Sequence, residues 1–314
     1  MAEIIQRDGT WAFDGSTVRI TPGLHRSVPL FRQTYGEIAV PIEAVAGAVY
    51  EPERKRGRLR LRLREGADPL LQATGGRLPE AADPYRLAVD VDRSGIAEYV
   101  AEEIRRALLL EQVSVEPAAS YLLPGPPVPV SVRSSDGTVS FDGTRVRIDW
   151  SDTSDRVKRA TGPRIIGVPD LVRVEWLPNS GYEDGCLRFV TRDAGPSRPP
   201  AEKDPFALDL WGSTRRDLLT ALVATAVVAR LPHPSAGADE RVAQNGAREG
   251  TQDAAPVPLG APRDAVDPGQ PRVPRQDHHD VLLRRLRELG ELHRDGVLTD
   301  EEFAVTKAAV LRGF

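Results

Sequence analysis

One thirteen-residue pattern occurs twice in the chain. Asp8–Ile20 reads DGTWAFDGSTVRI, and Asp136–Ile148 reads DGTVSFDGTRVRI. Nine of the thirteen positions are identical at an offset of 128 residues, which indicates an internal repeat. In each copy, alternating apolar residues flank an Asp-Gly pair. This pattern is the strongest short signal for a β-hairpin, because glycine adopts positive φ without steric cost.

The match between the two copies continues in the same order along the chain. The further aligned segments are IEAVAGAVYEP (Ile42–Pro52) with VPDLVRVEWLP (Val168–Pro178), GRLRL (from Gly57) with GCLRF (from Gly185), and DPYRL (from Asp83) with DPFAL (from Asp204). Each copy ends in a helical pattern, near Gly95–Leu110 and near Arg215–Leu231. We therefore predict two divergent domains, the first over residues 1–115 and the second over residues 116–231.

Within one copy the pattern is mostly that of β-strands. In Arg58–Arg64, leucines alternate strictly with arginines, as expected for a strand with one buried face and one face in water. The closing segment has helical spacing, with a predicted inner face of Ile96, Tyr99, Val100, Ile104, Ala107 and Leu108. We predict an α+β fold in which each repeat is a small antiparallel β barrel or sandwich closed by a C-terminal helix.

The second closing helix has a different composition. Leu218–Ala229 is apolar almost all the way round, which is typical of a helix buried on more than one side. We expect it to pack between the two domains or in a dimer interface. A membrane-surface helix is disfavoured because the cationic polar face is missing. The run of twelve residues is also shorter than the roughly 20 needed to span a bilayer.

The C-terminal quarter divides into a linker and a short helical segment. Pro232–Asp277 contains 13 Pro or Gly among 46 residues and no Phe, Trp, Tyr or Ile, so we predict a disordered linker. His278–Phe314 fits a two-helix hairpin with a turn at Gly296 and a capping box from Thr299. About 37 residues cannot form a sufficient core alone, so the apolar stripes need a partner. The predicted association residues are Leu282, Leu286, Leu289, Leu292, Leu298, Phe303, Val310 and Leu311.

These segments carry resemblances to known families. The tail LLRRLRELGELHRDGVLTDEEFAVTKAAVL resembles the SHOCT (short C-terminal) module. Its pattern is carried by Leu286, Leu289, Gly296, Leu298, Thr299, Glu301, Glu302, Phe303, Lys307 and Leu311. The tandem repeat resembles an actinobacterial domain of unknown function, number 4429 of the uncharacterised series, and its fold is similar to a bacterial pleckstrin-homology-like domain. The resemblance implies no catalytic activity, and for the tail it implies self-association or partner docking.

No catalytic, cofactor-binding or metal-binding residue is predicted. The sequence contains no phosphate-binding loop, nucleophile elbow, HExxH or paired CxxC motif. Cys186 is read as a small half-buried strand residue. His278 and His279 beside Asp280 could form a weak metal site, but Asp280 is better explained as a helix N-cap. Aspartates recur in both copies and are read as Asp-Gly turns: Asp8, Asp14, Asp136 and Asp142.

An arginine-rich strand is the one further candidate for a binding surface. Its cations are Arg54, Lys55, Arg56, Arg58, Arg60, Arg62 and Arg64. Arginine suits bidentate contacts to phosphate, so a phospholipid headgroup, a nucleic-acid backbone or an acidic protein could dock there. The simpler interpretation is a solvated strand face. No aromatic residues interleave with the arginines, and the net charge of the 314 residues is −4, so no specific nucleic acid is expected.

These observations together predict a non-enzymatic binding or scaffold protein located in the cytoplasm. The helical hairpin is expected to make it a homo-oligomer or to dock a protein partner. The alternative is a peripheral membrane adaptor that places the arginine-rich strand on anionic lipid. No cofactor and no small-molecule substrate are expected. An enzyme with an unrecognised site is the third hypothesis, and it requires perturbed carboxylates clustered in one pocket.

Overall fold

The computed structural model describes residues 1–181, 183–195 and 198–236. In this part of the chain one architecture occurs twice. The first copy has strands β1 (Ala2–Gln6), β2 (Gly9–Phe13), β3 (Thr17–Pro22), β4 (Ile38–Pro41), β5 (Val45–Glu51), β6 (Arg56–Leu63) and β7 (Arg86–Asp90). The second has β8 (Val130–Arg133), β9 (Gly137–Phe141), β10 (Arg145–Trp150), β11 (Arg164–Gly167), β12 (Leu171–Leu177), β13 (Gly185–Thr191) and β14 (Ala207–Leu210). We refer to the copies as repeat one and repeat two.

Most of the helices occupy equivalent places in the two repeats. They are α1 (Leu30–Tyr35), α2 (Pro69–Thr74), α3 (Ser94–Leu110), α4 (Arg156–Thr161), α5 (Thr214–Asp217) and α6 (Thr220–Val228). Helices α1 and α4 both precede the fourth strand of their repeat, and α3 and α6 both close it. Helix α2 lies between β6 and β7, whereas the corresponding connection of repeat two has a 3₁₀ turn at Ala201–Lys203.

Each repeat consists of a four-stranded and a three-stranded antiparallel sheet. The orders are β1-β2-β3-β4 and β5-β6-β7 in repeat one, and β11-β10-β9-β8 and β12-β13-β14 in repeat two. All four sheets are open, so the barrel alternative is wrong. The chain passes from the first sheet to the second through a 3₁₀ turn, Ile42–Ala44 or Val168–Asp170, which leaves the two sheets unpaired at that point.

The hairpins predicted around the Asp-Gly pairs are confirmed in both repeats. Trp11 pairs with Ile20, and Val139 pairs with Ile148 at the same offset, so the register is identical. Trp11 is 0% exposed and belongs to the core shared by both sheets of repeat one. The nine identities between the copies therefore encode one buried hairpin.

The predicted alternation along β6 is also confirmed. Leu59 and Leu61 are buried, and Arg58 and Arg60 lie on the partly exposed face. Gly57 occupies the first buried position of this pattern. A larger residue would not fit there, because its Cβ atom would lie 2.7 Å from the Tyr50 ring. The glycine lets the aromatic side chain cross the strand.

An aromatic side chain at this position connects the three-stranded sheet to the closing helix in both repeats. The Tyr50 hydroxyl donates to Ser94 Oγ over 2.8 Å, and Trp176 Nε1 donates to Thr220 Oγ1 over 3.0 Å. Ser94 and Thr220 are the first residues of α3 and α6. The alignment of Tyr50 with Trp176 thus marks equivalent anchors at the start of each closing helix.

Helix α3 has the amphipathic pattern expected from its sequence, with one error in its inner face. Its buried residues are Ala97, Val100, Ala101, Ile104 and Ala107. Tyr99 was predicted to point inward, but it is 54% exposed. It lies about 100° round the helix from Val100, outside the buried stripe.

Helix α6 is buried along its whole length. All nine of its residues are buried, and it packs on α2 of repeat one as well as on β8, β9 and β12 of its own repeat. The prediction that an all-round apolar helix lies between the two domains is confirmed. None of the helices in the described ranges is long and apolar enough to cross a bilayer.

The segments on either side of repeat two are fastened to one loop of repeat one. Leu122 N donates to Ala67 O over 2.8 Å, and Ala118 N donates to Glu65 O over 2.7 Å. His233 Nε2 lies 2.9 Å from Gly66 O and its ring contacts Tyr121 edge-on. The described residues of both repeats belong to one compact unit.

Candidate functional site

The residues proposed for association do not fall in the described ranges. Leu282, Leu286, Leu289, Leu292, Leu298, Phe303, Val310 and Leu311 all lie outside them, as does His278–Asp280. Of the predicted linker, residues 232–236 are described. The prediction of a linker and a helical hairpin therefore stays a prediction from sequence.

The arginine-rich strand is described in full, and Arg58 lies at its centre. The Arg58 guanidinium pairs with the carboxylates of Glu53 and Glu80, the latter at 2.6 Å. The hydrogen bond from Arg58 lowers the pKa of Glu80, and the Glu80 and Glu53 carboxylates raise the pKa of Arg58. Glu80 also accepts an ion pair from Arg86 at 2.5 Å. Arg58 Nε also lies 4.0 Å from Glu51 Oε2, so Arg58 belongs to a network of charges and not to a single ion pair.

Its neighbours on the strand are also paired with carboxylates. Arg56 Nε lies 3.0 Å from Asp90 Oδ1, and Arg60 Nη1 lies 3.8 Å from Glu51 Oε1. Arg64 is held differently, because its guanidinium donates to the backbone carbonyl groups of Glu43 and Glu116. The guanidinium groups of these arginines are therefore paired within the protein.

The remaining three cations are unpaired; Arg54 and Lys55 precede β6, and Arg62 lies on it. Arg54, Lys55 and Arg62 make no ion pair or hydrogen bond with another described residue. The sequence prediction treated all seven cations as one face. The counter-ions were missed because Glu80 and Asp90 approach β6 from other parts of the chain, which strand alternation alone does not reveal.

The recurring aspartates have two different roles. Asp14 Oδ1 accepts hydrogen bonds from the backbone N–H groups of Ser16 and Thr17, which lower the pKa of Asp14. Asp142 Oδ1 accepts from Thr144 N in the same way, over 2.7 Å. The turn interpretation is confirmed for these two residues.

Asp136 is more than a turn residue. Its Oδ2 lies 2.5 Å from Lys158 Nζ, and both side chains are buried. The same oxygen accepts a 2.8 Å hydrogen bond from Asp209 N. Lys158 Nζ is 5.0 Å from the centroid of the Trp150 ring. A carboxylate satisfied by a buried ammonium and a backbone N–H is a structural centre, because an unpaired buried charge is strongly destabilising.

Repeat one has a looser version of this ion pair. Arg32 on α1 corresponds to Lys158 on α4, and its Nη1 lies 3.9 Å from Asp8 Oδ2. Arg32 is buried, and burial lowers its pKa. The recurrence of Asp8 and Asp136 was the available sequence signal. Their cationic partners could not be identified because an arginine and a lysine occupy the matching helix positions.

The lone cysteine is explained by packing. Cys186 lies on β13 opposite Leu177 and Asp209 and is partly buried, as predicted. Burial raises the pKa of its thiol to about 11, so the thiol is protonated at neutral pH. The thiolate form needed for nucleophilic or metal chemistry is therefore scarce.

The open corner of repeat two contains a cavity of about 450 Å³ between β11 and the β13–β14 hairpin. Its walls include Ile165, Phe189 and Phe206. Arg188 in the wall is paired with Asp204 at 2.9 Å. The apolar walls suit an apolar group.

Repeat one fills the corresponding corner with its own side chains. Tyr85, which aligns with Phe206, is 2% exposed and donates to Asp68 Oδ2 over 2.8 Å. Asp68 caps α2 by accepting from Leu70 N and Leu71 N. Burial raises the pKa of Asp68 to about 6. The cap of α2 is thus a buried titratable group.

A family model described as a domain of unknown function (DUF4429) matches residues 11–105 and 139–228. The chain belongs to this family. The two DUF4429 segments begin at Trp11 and Val139, which are equivalent residues of β2 and β9. They end within α3 and at the last residue of α6, so the family unit is the repeat with its closing helix. No curated protein matches the chain.

The described residues contain no group of three or more His, Cys, Asp and Glu side chains placed to hold a metal ion. The DUF4429 match ends at residue 228, before the segment that resembles a SHOCT module. That resemblance is a prediction from sequence.

Proposed function

We propose that this chain is a non-enzymatic binding or scaffold protein. Its two DUF4429 repeats form one rigid body, and the C-terminal helical hairpin mediates self-association or partner docking. Self-association would place several double-repeat bodies side by side and raise their effective concentration at a partner surface.

The burial of α6 is the observation that carries this proposal. The helix is apolar on all sides, and α2 of repeat one covers the face that its own repeat leaves open. Separating the repeats would expose this apolar surface to water, which costs a free energy of about 25 cal/mol per Å². A rigid pair of repeats followed by a segment with unpartnered apolar stripes is suited to presenting surfaces.

The same proposal covers the fold type of each repeat, the nature of the tail and the location of the protein. Four strands, three strands and a closing helix support a pleckstrin-homology-like assignment for each repeat. The tail pattern supports a SHOCT-like hairpin. A location in the cytoplasm is supported by the single cysteine, Cys186, since one cysteine cannot form an internal disulfide.

Light scattering after size-exclusion chromatography tests the role of the hairpin. We expect the full chain to elute as a multimer of its 34.3 kDa mass. The double variant Leu286→Asp/Leu289→Asp is expected to be monomeric with unchanged circular dichroism from the repeats, because two carboxylates on the apolar stripe oppose its burial.

Val257→Asp/Leu259→Asp is the matched control, since it introduces the same two charges into the predicted linker. It should keep the wild-type mass. A double variant that keeps the wild-type mass contradicts association through the hairpin. A monomeric wild-type chain overturns self-association and leaves docking to a different protein.

The alternative function is a peripheral membrane adaptor. Its strongest support is the set of three unpaired cations, Arg54 and Lys55 just before β6 and Arg62 on it. Co-sedimentation with anionic vesicles tests it. Salt-sensitive binding lost in a variant with all three replaced by Glu supports the adaptor. Equal binding by that variant removes it.

A further inference from the structure

A cleft between the two repeats has a different charge pattern from the arginine-rich strand. Its volume is about 330 Å³. Repeat one contributes residues 26–31 and Pro79, and repeat two contributes Asn179, Thr214, Arg215 and Leu218. Clefts between domains are common places for small ligands, because two bodies supply walls that neither has alone.

Two arginines, one from each repeat, line this cleft. Arg26 and Arg215 are both exposed, and neither has an ion pair or hydrogen bond to another described residue. No Asp or Glu is among the described residues that line the cleft. This differs from Arg56, Arg58 and Arg60, whose charges are met by carboxylates.

The amide side chain of the wall is already held by other groups of the protein. Asn179 Nδ2 donates to Gly212 O over 3.1 Å and to Asp217 Oδ2 over 3.2 Å. The Asp217 carboxylate also accepts from Gly212 N and is buried behind the wall. The cleft therefore carries two uncompensated positive charges and favours an anion.

Most of the remaining wall of the cleft is apolar. Its walls include Val28, Phe31, Pro79 and Leu218. An inorganic anion would leave this surface unused, whereas an anion attached to an apolar body would cover it. Arginine pairs bidentately with phosphate oxygens, and a phosphate monoester carries enough charge for two guanidinium groups.

We propose that the cleft binds a phosphate monoester carried on an apolar group, with Arg26 and Arg215 both pairing with the phosphate. Such a ligand would contact both repeats at once. The proposal goes beyond the scaffold function and does not depend on the C-terminal hairpin.

Isothermal titration of the full chain with phenyl phosphate tests this proposal. We expect saturable binding to one site, and weaker binding of inorganic phosphate, which lacks the ring. Arg26→Gln and Arg215→Gln should each weaken binding by about tenfold or more, as expected for losing a charged hydrogen-bond donor. The double variant should show no measurable binding.

Arg216→Gln is the matched control. Arg216 is the next residue, is exposed, and does not line the cleft. Its variant should bind phenyl phosphate as the wild type does. Loss of affinity equal to that of Arg215→Gln would overturn the proposal, because it would show attraction by net charge alone.

Vesicles containing phosphatidic acid distinguish a lipid source from a soluble one. Binding of phenyl phosphate that is lost in the double variant assigns a soluble phosphate monoester. Binding of the vesicles alone, lost in the same variant, assigns the headgroup of a lipid. Absence of binding to both probes overturns the proposal.

Discussion

Helices α3 and α6 close equivalent repeats and start at equivalent residues, Ser94 and Thr220, yet their surroundings are opposite. The outer face of α3 is in water and carries the ion pairs Arg105–Glu102 and Arg106–Glu103. The outer face of α6 is covered by α2 of the other repeat. The comparison shows that a closing helix has a polar outer face where water covers it and an apolar one where a second repeat covers it.

The contrast depends on one short helix. Repeat one has α2 between β6 and β7, where Leu70 is fully buried and Asp68 supplies the N-cap. Because α2 packs on α6, repeat one provides part of the core of repeat two. We infer that repeat two depends on repeat one for its stability.

The largest expected effect comes from giving α6 the charge that α3 carries at the same helix position. Glu98 and Ala224 are each the fifth residue of their helix, and Ala224 is 0% exposed. Ala224→Glu should lower the free energy of unfolding by about 5 kcal/mol, because it buries an unpaired charge. Denaturant unfolding measures this loss.

The matched change on α3 is Glu98→Ala. It should change stability by less than about 0.5 kcal/mol, since the residue is exposed. Similar effects of the two substitutions would show that the outer faces of the helices do not differ.

The next largest losses of stability should come from breaking the two equivalent ion pairs, and the two losses should differ in size. Lys158→Met leaves Asp136 buried without its cation and should cost about 4 kcal/mol. Arg32→Met should cost less, about 2 kcal/mol, because Asp8 is 22% exposed and can be hydrated. Thermal unfolding of both variants checks the order.

Adding Asp136→Asn to Lys158→Met supplies the control. Removing both charges should recover part of the stability, since the penalty lies in the unpaired carboxylate. A double variant less stable than Lys158→Met alone would contradict this explanation.

The pH dependence should report the cap of α2. The folded pKa of Asp68 is raised to about 6, so the fold favours the protonated carboxyl. Its stabilising contribution is complete below the unfolded pKa, near 4, and is lost as pH rises through 6. The loss amounts to roughly 3 kcal/mol between these limits.

Asp68→Asn removes this titration while keeping an oxygen that can cap Leu70 N. Urea unfolding from pH 4 to pH 7 should therefore show a difference between wild type and variant that changes with pH in this interval and is constant above it. A constant difference over the whole range would mean that Asp68 titrates normally.

The smallest expected effect concerns the arginine-rich strand. Arg58 is 40% exposed, so its ion pairs with Glu53 and Glu80 are screened by water and salt. Arg58→Gln should lower stability by less than about 1 kcal/mol. Unfolding in low and high salt should show that this difference shrinks with salt, and a larger loss unaffected by salt would contradict a screened network.

Much of the fold could be predicted from local sequence. The repeated Asp-Gly hairpins, the alternation along β6 and the position of α6 between the domains all follow from patterns within one segment. Helix α2 was missed because six residues are too few to show periodicity, although Asp68 followed by Pro69 is a valid N-terminal signal.

The sites were harder to predict because their parts are distant in sequence. The partner of Asp136 lies 22 residues away, and the counter-ions of Arg58 include Glu80 from another turn. Arg26 and Arg215 meet in one cleft only after the two repeats pack. No spacing rule connects such residues before the fold is known.

We infer that the two repeats form one cooperative body held by α6. Native-state hydrogen exchange of the full chain in increasing denaturant tests it most directly, because it reports the opening free energy of each element separately. We expect the amides of α6 and β9 to open with the same free energy and denaturant dependence as those of β2. Opening of α6 and β9 at clearly lower free energy, while β2 stays protected, would contradict it.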